Sequence, residues 1–363
     1  MNVRALRERL EHHQPVLILD IRVAESRADW AIPGSLWADA YHAVKRGDYA
    51  PLAALDLPAD KPIVVVCEVG KTSQRAASYL RSKGIVAESL DGGMQAWSLA
   101  WNRAELRLTD GVDVIQVRRT GKGCLSYLVA SQDEAVVIDP VLGPDVYRDI
   151  AAASGRKITG VVDTHVHADH VSRSRLLVGE LGVPHYLPAQ ERVHFAFEPL
   201  RDGDRIPVGG TALDVMHTPG HTWESCTYRL PAGVVFTDDT LFLDGVGRPD
   251  LEARSGEAEE RGRALYQSLR RLALLAEDTQ VLPGHASGPL AFDGVPWAAS
   301  LAEVRARVSL LQLSEAAFVD TVLARIPPTP PNHHRIVALN ETGRWPEEDP
   351  TVLEAGANRC AVG

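Results

Sequence analysis

The sequence predicts a two-domain α/β protein, in which strands and helices alternate over about 1–103 and a second domain opens with a β-meander. The runs VLILD at 16–20 and PIVVVC at 62–67 are apolar and β-branched, as is typical of parallel strands buried on both faces. VDVIQVRR and CLSYLVA alternate around the turn TGKG and are followed by AVVIDP, which predicts antiparallel strands. The length of 363 residues suits about two domains of ~150 residues each.

The composition is that of a soluble globular protein, with 45% hydrophobic and 24% charged residues. A net charge of −10 without a Lys/Arg block disfavours nucleic-acid binding. The N-terminus lacks the apolar core of a secretory signal, and no apolar run approaches the ~18 residues that span a bilayer. Four cysteines without a spacing pattern fit a reducing compartment. We therefore expect a cytoplasmic protein without a membrane partner.

In the first domain, SQRAASYLRSKG at 73–84 predicts a helix that ends at Gly84, and IVAESLDGGMQAW predicts a strand, a Gly-Gly turn and a helix start. The stretch at 98–111 has no clear period, which predicts a linker or the rim of the second domain. The second domain is predicted to contain strands at GVVDTH, ALDVMHTP, TYRL and GVVFTDD and helices at 144–154, 172–181, 256–276 and 297–325.

Histidine and aspartate side chains cluster where predicted strands end. In THVHADH, His165 and His167 are two residues apart, so their imidazoles fall on the same side of extended backbone. HTPGHT, FTDDTLF and LPGHA add further such residues downstream. Four clusters of this kind, each beside a turn, predict a metal site on loops held by a rigid scaffold.

In this order, after a meander that ends in IDP, these motifs resemble the metallo-β-lactamase superfamily over about 110–300. The resemblance implies a four-layer αββα sandwich with the metal at one edge of the two sheets. Within that superfamily, TLFLDGVGRPDL and the tail PPTPPNHHRIVALN are similar to the persulfide dioxygenase branch. That similarity implies one Fe²⁺ per chain with vacant positions for substrate and O₂, bound by His165, His221 and Asp239.

On this interpretation four further residues of the motifs do not contact the iron: His167, Asp169, His170 and His285. The same set could instead hold two Zn²⁺ ions bridged by Asp239, which predicts a thioester hydrolase of the glyoxalase II type. One zinc would then take His165, His167 and His221, and the other would take Asp169, His170 and His285. Residue spacing leaves both alternatives open.

The chain departs from the family pattern at Asp238, where glycine is usual, at Arg173, where glycine is also usual, and at Trp223-Glu224. Asp238 could accept a hydrogen bond from a ligand or replace Asp239 as one. Arg248 in GRPD could bind a substrate carboxylate or form an internal ion pair.

Cys67 lies between an apolar strand and a helix, where converging backbone N–H groups stabilise a thiolate. A buried, unreactive thiol is the alternative. The flanking LDIR, IPGS and LDGGMQAW, and the loop CEVGKTS itself, resemble the rhodanese family over about 1–103. This resemblance implies a parallel sheet with helices on both faces, and sulfur transfer through a Cys67 persulfide. The backbone amides that cradle the outer sulfur would come from Glu68, Val69, Gly70, Lys71, Thr72 and Ser73.

Thr72 replaces an arginine of that family, which leaves Lys71 or Arg75 to bind an anionic donor such as thiosulfate. Cys124 is expected in the core, and we predict no chemistry for Cys226 or Cys360.

The two resemblances divide the chain into a rhodanese-like domain at 1–103, a metal domain at 104–300 and a C-terminal helix and tail at 301–363 that complete the second domain. They predict oxidation of glutathione persulfide by O₂ to sulfite and glutathione, with glutathione as the carrier thiol and Cys67 exchanging sulfur with thiosulfate. The expected partners are small molecules, and a homodimer is one assembly that the sequence allows. In the hydrolase alternative, the rhodanese domain would dock partners or sense persulfides.

Overall fold

The computed structural model describes residues 1–58, 60–254, 256–356 and 358–363. Its strands form a four-stranded sheet in the N-terminal part, a seven-stranded and a six-stranded sheet farther along, and a small two-stranded sheet. Among these residues, every helix is too short or too polar to cross a membrane.

The N-terminal unit is a parallel sheet with helices on both faces. Its elements are α1 (Val3–Glu11), β1 (Leu17–Asp20), α2 (Ala24–Asp29), β2 (Leu36–Trp37), α3 (Tyr41–Lys45), α4 (Ala50–Ala53), β3 (Ile63–Val66), α5 (Lys71–Ser82), β4 (Ala87–Ser89) and α6 (Gly93–Trp97). The strand order is β2-β1-β3-β4. All of β3 is buried because one apolar cluster lies under α3, α4 and α5 and another under α1 and α6. The architecture predicted for this domain is confirmed.

The second unit packs two sheets face to face. Its elements are β5 (Asn102–Arg107), β6 (Val112–Arg119), β7 (Cys124–Ser131), β8 (Glu134–Ile138), α7 (Pro144–Ala153), β9 (Lys157–Val162), α8 (Ser174–Leu181), β10 (His185–Pro188), β11 (Glu198–Leu200), β12 (Arg205–Val208), β13 (Thr211–His217), β14 (Cys226–Leu230), β15 (Val234–Asp238), β16 (Val246–Gly247), α9 (Glu257–Leu272), β17 (Gln280–Pro283), β18 (Ala299–Ser300), α10 (Leu301–Arg307), α11 (Glu315–Ala324), α12 (His333–Thr342), α13 (Pro350–Leu353) and β19 (Ala361–Val362). The sheets run β11-β10-β9-β8-β7-β6-β5 and β12-β13-β14-β15-β17-β18.

Apolar side chains fill the space between these sheets, among them Tyr127 from the first and Phe236 from the second. The outer face of the seven-stranded sheet is covered by α7 and α8, and that of the six-stranded sheet by α9, α10 and α11. The result is the predicted four-layer αββα sandwich, so the predicted fold class is confirmed.

The sheet topology brings the polar motifs to one edge of the sandwich. β8 runs parallel to β9, and β15 runs parallel to β17. The carboxyl ends of parallel neighbours lie at the same edge, where Asp139, Asp163, Asp239 and His285 follow or closely follow their strands.

Two predictions about secondary structure need correction. The single helix predicted at 297–325 is wrong, because the chain forms α10, a 3₁₀ turn at Ser309–Gln312 and then α11. Ser300 starts α10 through a capping box with Glu303, and Val308 leaves the helix in an extended conformation. The stretch at 98–111, predicted to be a linker or the rim of the second domain, contains β5, an edge strand paired with β6. Buried and exposed residues alternate in β5 over too few positions to give a clear period in the sequence.

The turn between β6 and β7 joins the two units. Trp30 Nε1 donates to the carbonyl of Thr120 at 2.9 Å, and Arg119 Nε donates to the carbonyl of Ser98 at 2.7 Å. A Cβ atom on Gly121 would lie 1.9 Å from the carbonyl oxygen of Trp97, so the backbones are in direct contact.

Candidate metal centre

Three buried side chains converge at the sheet edge: His165, His221 and Asp239. Each offers a ligand atom within 4.8 Å of the other two. His221 Nε2 lies 3.5 Å from Asp239 Oδ2, and both His165 Nε2 and Asp239 Oδ2 lack a hydrogen-bond partner among the described residues. A buried polar atom without a partner is costly, so this set fits a cation at its centre.

Both imidazoles are held by their other nitrogen, so that Nε2 points inward. His165 Nδ1 lies 2.6 Å from Asp238 Oδ2, and His221 Nδ1 donates to the carbonyl of Arg248 at 2.8 Å. Partners of this kind fix the tautomer and direction of metal-binding histidines. Although burial opposes it, the charges of His165 and His167 hold the pKa of Asp238 well below its ordinary value.

Asp238 has a backbone φ of 42°, in the left-handed region that favours glycine. Aspartate tolerates that region better than most residues. Its carboxylate also accepts from Thr164 Oγ1 at 2.6 Å. The structure therefore places Asp238 behind His165, in the position of a hydrogen-bond acceptor from a candidate ligand.

A second group of buried donors lies beside the first, and its ligand atoms also fall within 4.8 Å of one another: Cys124, Asp169, His170 and His285. These donors bind one another. Asp169 Oδ1 lies 2.9 Å from His170 Nδ1, and Asp169 Oδ2 lies 3.0 Å from His285 Nε2. Among the described residues, His170 Nε2 has no partner.

His285 links the two groups, because its Nδ1 lies 2.7 Å from Asp239 Oδ1. Both ring nitrogens therefore face carboxylates, an arrangement that suits an imidazolium. Burial lowers the pKa of His285, but Asp239 and Asp169 outweigh burial and raise that pKa well above its ordinary value.

His167 is also engaged, since its Nε2 lies 3.0 Å from Asp139 Oδ1. Burial works against the charged imidazole, yet Asp139 and neighbouring carboxylates raise the pKa of His167 to about 10. Sequence reasoning missed Asp139, although it directly follows the apolar residues of the quoted run AVVIDP.

The C-terminal tail reaches the same centre. Asn358 Nδ2 donates to Asp169 Oδ2 at 3.1 Å, and the Cys360 sulfur lies within 4.8 Å of ligand atoms of Asp239 and His285. Burial and the nearby carboxylates raise the pKa of the Cys360 thiol well above its ordinary value. Because these residues lie far along the chain from the motifs, sequence reasoning had no signal for them.

Arg173, which stands where glycine is usual, has a buried partner in the tail. Its guanidinium contacts the carboxylate of Glu354, which also lies 2.7 Å from Arg119 Nη1. Glu354 accepts from the backbone N–H of Val171 at 2.9 Å. Burial opposes ionisation, but Arg119 and Arg173 lower the pKa of Glu354 to about 2. Glu354 therefore fixes the loop that carries His170.

The guanidinium of Arg248, a candidate substrate-binding group, forms an internal ion pair. It binds Asp250 at 2.7 and 2.8 Å and donates to the carbonyls of Pro328 and Arg359. Its side chain thus ties the GRPD loop to the tail.

Cys67 follows β3 and is buried in its loop. Its sulfur accepts from the backbone N–H of Ser73 at 3.3 Å and lies 3.2 Å from Ser73 Oγ. A Cβ atom on Gly93 would lie 2.2 Å from the Cys67 carbonyl oxygen, so the Gly-Gly turn supports the loop closely.

Ser73 is the member of the predicted cradle whose N–H contacts the Cys67 sulfur, and the others lie in the loop between Cys67 and Ser73: Glu68, Val69, Gly70, Lys71 and Thr72. Gly70 has a φ of 80° at the start of α5, and Lys71 is exposed. Arg75 Nη1 donates to the carbonyl of Lys45 in α3 at 3.0 Å, and its binding of an anionic donor stays a prediction.

Comparison with known proteins matches each half of the chain separately. Residues 2–100 match the rhodanese-like domain, and residues 119–285 match the metallo-beta-lactamase superfamily. The crystal structure of ETHE1 from Myxococcus xanthus is 30% identical, with a TM-score of 0.53 over 66% of this chain and 98% of that chain. A metallo-beta-lactamase from Staphylococcus aureus is 26% identical, with a TM-score of 0.59 over 65% of this chain and 74% of that chain.

Hydroxyacylglutathione hydrolase from Methylobacillus flagellatus is 33% identical over 161 residues, which cover 44% of this chain and 60% of that enzyme. The αββα fold is one that binds metal ions, and the buried donor sets are candidate metal sites. The chain belongs to the metallo-beta-lactamase superfamily and carries a rhodanese-like domain before the metal domain.

Proposed function

We propose that this protein is a persulfide dioxygenase, which oxidises glutathione persulfide with O₂ to sulfite and glutathione. The observation that carries the proposal is the set of His165, His221 and Asp239, whose ligand atoms lie within 4.8 Å of one another. Two imidazoles and one carboxylate are the set with which non-heme Fe(II) oxygenases hold iron and keep positions open. The similarity of the sequence motifs to the persulfide dioxygenase branch supports the same activity.

The hydrogen bonds that the remaining candidate donors already make favour one metal ion over two. His167 Nε2 is bound to Asp139, and both nitrogens of His285 are bound to carboxylates. A second ion would have to displace these hydrogen bonds, including the one on Asp239 Oδ1 that a bridging role needs. We therefore favour a single Fe²⁺.

Bound there, iron would supply the redox chemistry that O₂ requires. The chain holds and orients the site, with Asp238 and the Arg248 carbonyl behind the two histidines and His285 beside Asp239. Glutathione persulfide, O₂ and water give glutathione, sulfite and two protons. The outer sulfur loses four electrons and O₂ gains four, so no further oxidant is needed.

The rhodanese-like domain would supply or remove sulfane sulfur. The Cys67 thiolate attacks the outer sulfur of thiosulfate, an S–S bond forms to Cys67, and sulfite leaves with the electron pair of the broken bond. Ser73, which already contacts the Cys67 sulfur, supports the thiolate, and exposed Lys71 attracts the anionic donor. The four cysteines are free thiols, which supports a cytoplasmic location.

A second candidate is a dinuclear zinc hydrolase of thioesters. The donor group of Cys124, Asp169, His170 and His285 and the similarity to hydroxyacylglutathione hydrolase favour it. Its rhodanese-like domain would then serve docking or persulfide sensing.

Elemental analysis of the purified protein, followed by O₂ uptake with glutathione persulfide, separates the two candidates. We expect one iron per chain and uptake that is lost in His221→Ala and retained in Cys67→Ser. Two zinc ions per chain, thioester hydrolysis and no O₂ uptake would instead establish the hydrolase.

A further inference from the structure

Two cavities flank the short segment Glu354–Gly356. The first, of about 260 Å³, is lined by this segment and by Glu68 and Val69, which directly follow Cys67. The second, of about 360 Å³, is lined by the same segment and by Lys122 and Asp169. Asp169 binds His285, which binds Asp239 of the candidate metal site. The first cavity therefore lies beside the cysteine loop, and the second lies beside a residue that His285 links to Asp239. One stretch of chain lines both cavities.

Lys122 places a positive charge in the second cavity. Its side chain is buried, and Nζ donates to the carbonyls of Glu354 at 2.8 Å and Gly356 at 3.4 Å. Within the described part of the chain, Lys122 forms no salt bridge at 4.0 Å or less. A buried ammonium without a counter-charge favours an anion beside it.

The two carboxylates that line this cavity already have basic partners. Glu354 is paired with Arg119 and Arg173, and Asp169 is bound by His170 and His285. Arg359 also lines the cavity, and its guanidinium lies 3.9 Å from Asp29 Oδ1. The buried ammonium of Lys122 is therefore the positive charge that has no acidic partner among the described residues. The cavity therefore suits a small anion rather than a cation.

We propose that these two cavities bind an anionic small-molecule thiol persulfide that carries sulfur between Cys67 and the metal centre. This inference rests on the proposed function and assigns the two cavities as the binding sites of its persulfide substrate. The volumes lie near the lower end of ligand pockets, which span about 300–1,000 Å³. A thiol of the size of glutathione matches these volumes, and a charged end beside Lys122 would provide the negative charge that the buried ammonium favours.

The transfer needs no oxidant. The carrier thiolate attacks the outer sulfur of the Cys67 persulfide, and a new S–S bond forms as the bond to the Cys67 sulfur breaks. The electron pair stays on Cys67 as a thiolate, and the proton remains on the outer sulfur. The carrier persulfide then crosses from the first cavity to the second.

Ala355 allows a direct test, because it is exposed and lines both cavities. Ala355→Trp fills the junction without changing Cys67 or a candidate ligand. Leu274→Trp is the matched control, since Leu274 is 86% exposed and lines neither cavity.

The assay follows sulfite formed from thiosulfate, glutathione and O₂ by dilute full-length protein. Its reference is an equimolar mixture of Cys67→Ser and His221→Ala, in which persulfide must cross bulk solvent. The measured quantity is this combined rate divided by the rate with added glutathione persulfide, so that a general loss of folding cancels. We expect wild type and Leu274→Trp to form sulfite without a lag. Ala355→Trp should show the same lag as the mixture, and its ratio should be at least about threefold lower than that of wild type. A mixture as fast as wild type, or no change in Ala355→Trp, overturns the proposal.

A binding measurement tests the cavity independently of oxygenase activity. Equilibrium dialysis of S-sulfoglutathione against the full-length Cys67→Ser chain should show saturable binding that weakens about tenfold in Lys122→Met and is unchanged in Leu274→Trp. Absence of binding, or equal binding by Lys122→Met, overturns the proposal that the cavities bind the persulfide, without affecting the proposed dioxygenase activity. Absence of O₂ uptake with added glutathione persulfide removes the oxygenase, and the dialysis still decides the cavity.

Discussion

Replacement of Glu354 by glutamine should destabilise the protein by about 3 kcal/mol at neutral pH. In the folded protein the pKa of the Glu354 carboxyl is lowered from an ordinary 4.5 to about 2. Each unit by which folding lowers this pKa corresponds to ~1.4 kcal/mol of stability at neutral pH. The cause is the buried contact with Arg119 and Arg173, which glutamine cannot neutralise. Because the pKa is depressed on folding, this stabilisation is complete above about pH 4.5 and is lost as pH falls toward 2.

Urea unfolding of wild type and Glu354→Gln between pH 7 and pH 3, followed by tryptophan fluorescence, measures the effect. We expect the difference in unfolding free energy to be largest at neutral pH and to shrink steadily below pH 4.5. Glu259→Gln is the control, since Glu259 forms an exposed pair with Arg263 that should contribute under ~1 kcal/mol. A variant as stable as wild type at pH 7, or a difference that stays constant down to pH 3, would refute the reasoning.

Three further outcomes follow from the two sites. Asp238→Asn should weaken iron affinity about 10–100-fold in a chelator competition, because His165 loses its charged acceptor. Partly buried Asp214, which pairs with Arg205, is the control: Asp214→Asn should leave the affinity unchanged, and equal affinities of Asp238→Asn and wild type would contradict the assigned role. Cys67→Ser should show no sulfur adduct by intact mass after thiosulfate while O₂ uptake with glutathione persulfide continues, and an adduct in this variant would place the carrier elsewhere. Gly93→Ala should slow sulfur transfer to cyanide and destabilise the protein by about 1–3 kcal/mol, because its Cβ would lie 2.2 Å from a carbonyl oxygen. Gly84→Ala, with a φ of 82° and open space around it, is its control, and equal effects of the two would exclude the contact as the cause.

The sequence predicts the architecture well because its strands carry clear periods. β3 reads as an apolar run because both faces are buried, and β6 to β8 alternate around short turns. The broken helix at 297–325 could not be predicted from its apolar pattern, since the break depends on Ser300 and Val308 leaving helical backbone. Propensity alone does not determine such breaks.

The same limit applies to the candidate site. The motifs at strand ends predict a larger set of donors, and the resemblance to the persulfide dioxygenase branch implies that His165, His221 and Asp239 are the ligands among them. Topology brings these three side chains together at one edge. Asn358, Cys360 and Glu354 reach that edge through packing of the tail, which no local pattern encodes. Arg173 illustrates the difference, because its replacement of glycine becomes intelligible once its buried acidic partner is known.

The contact of the β6–β7 turn with the N-terminal unit affects how the enzyme can be dissected. Cutting the chain near residue 103 would strip the indole of Trp30 from the carbonyl of Thr120 and expose the glycine turn that packs against its ring. Arg119 would lose its hydrogen bond to the carbonyl of Ser98, which helps to position its guanidinium for the ion pair with Glu354. Kinetics of separately expressed halves would then report a damaged interface, and point variants in the intact chain are the sounder way to assign each activity.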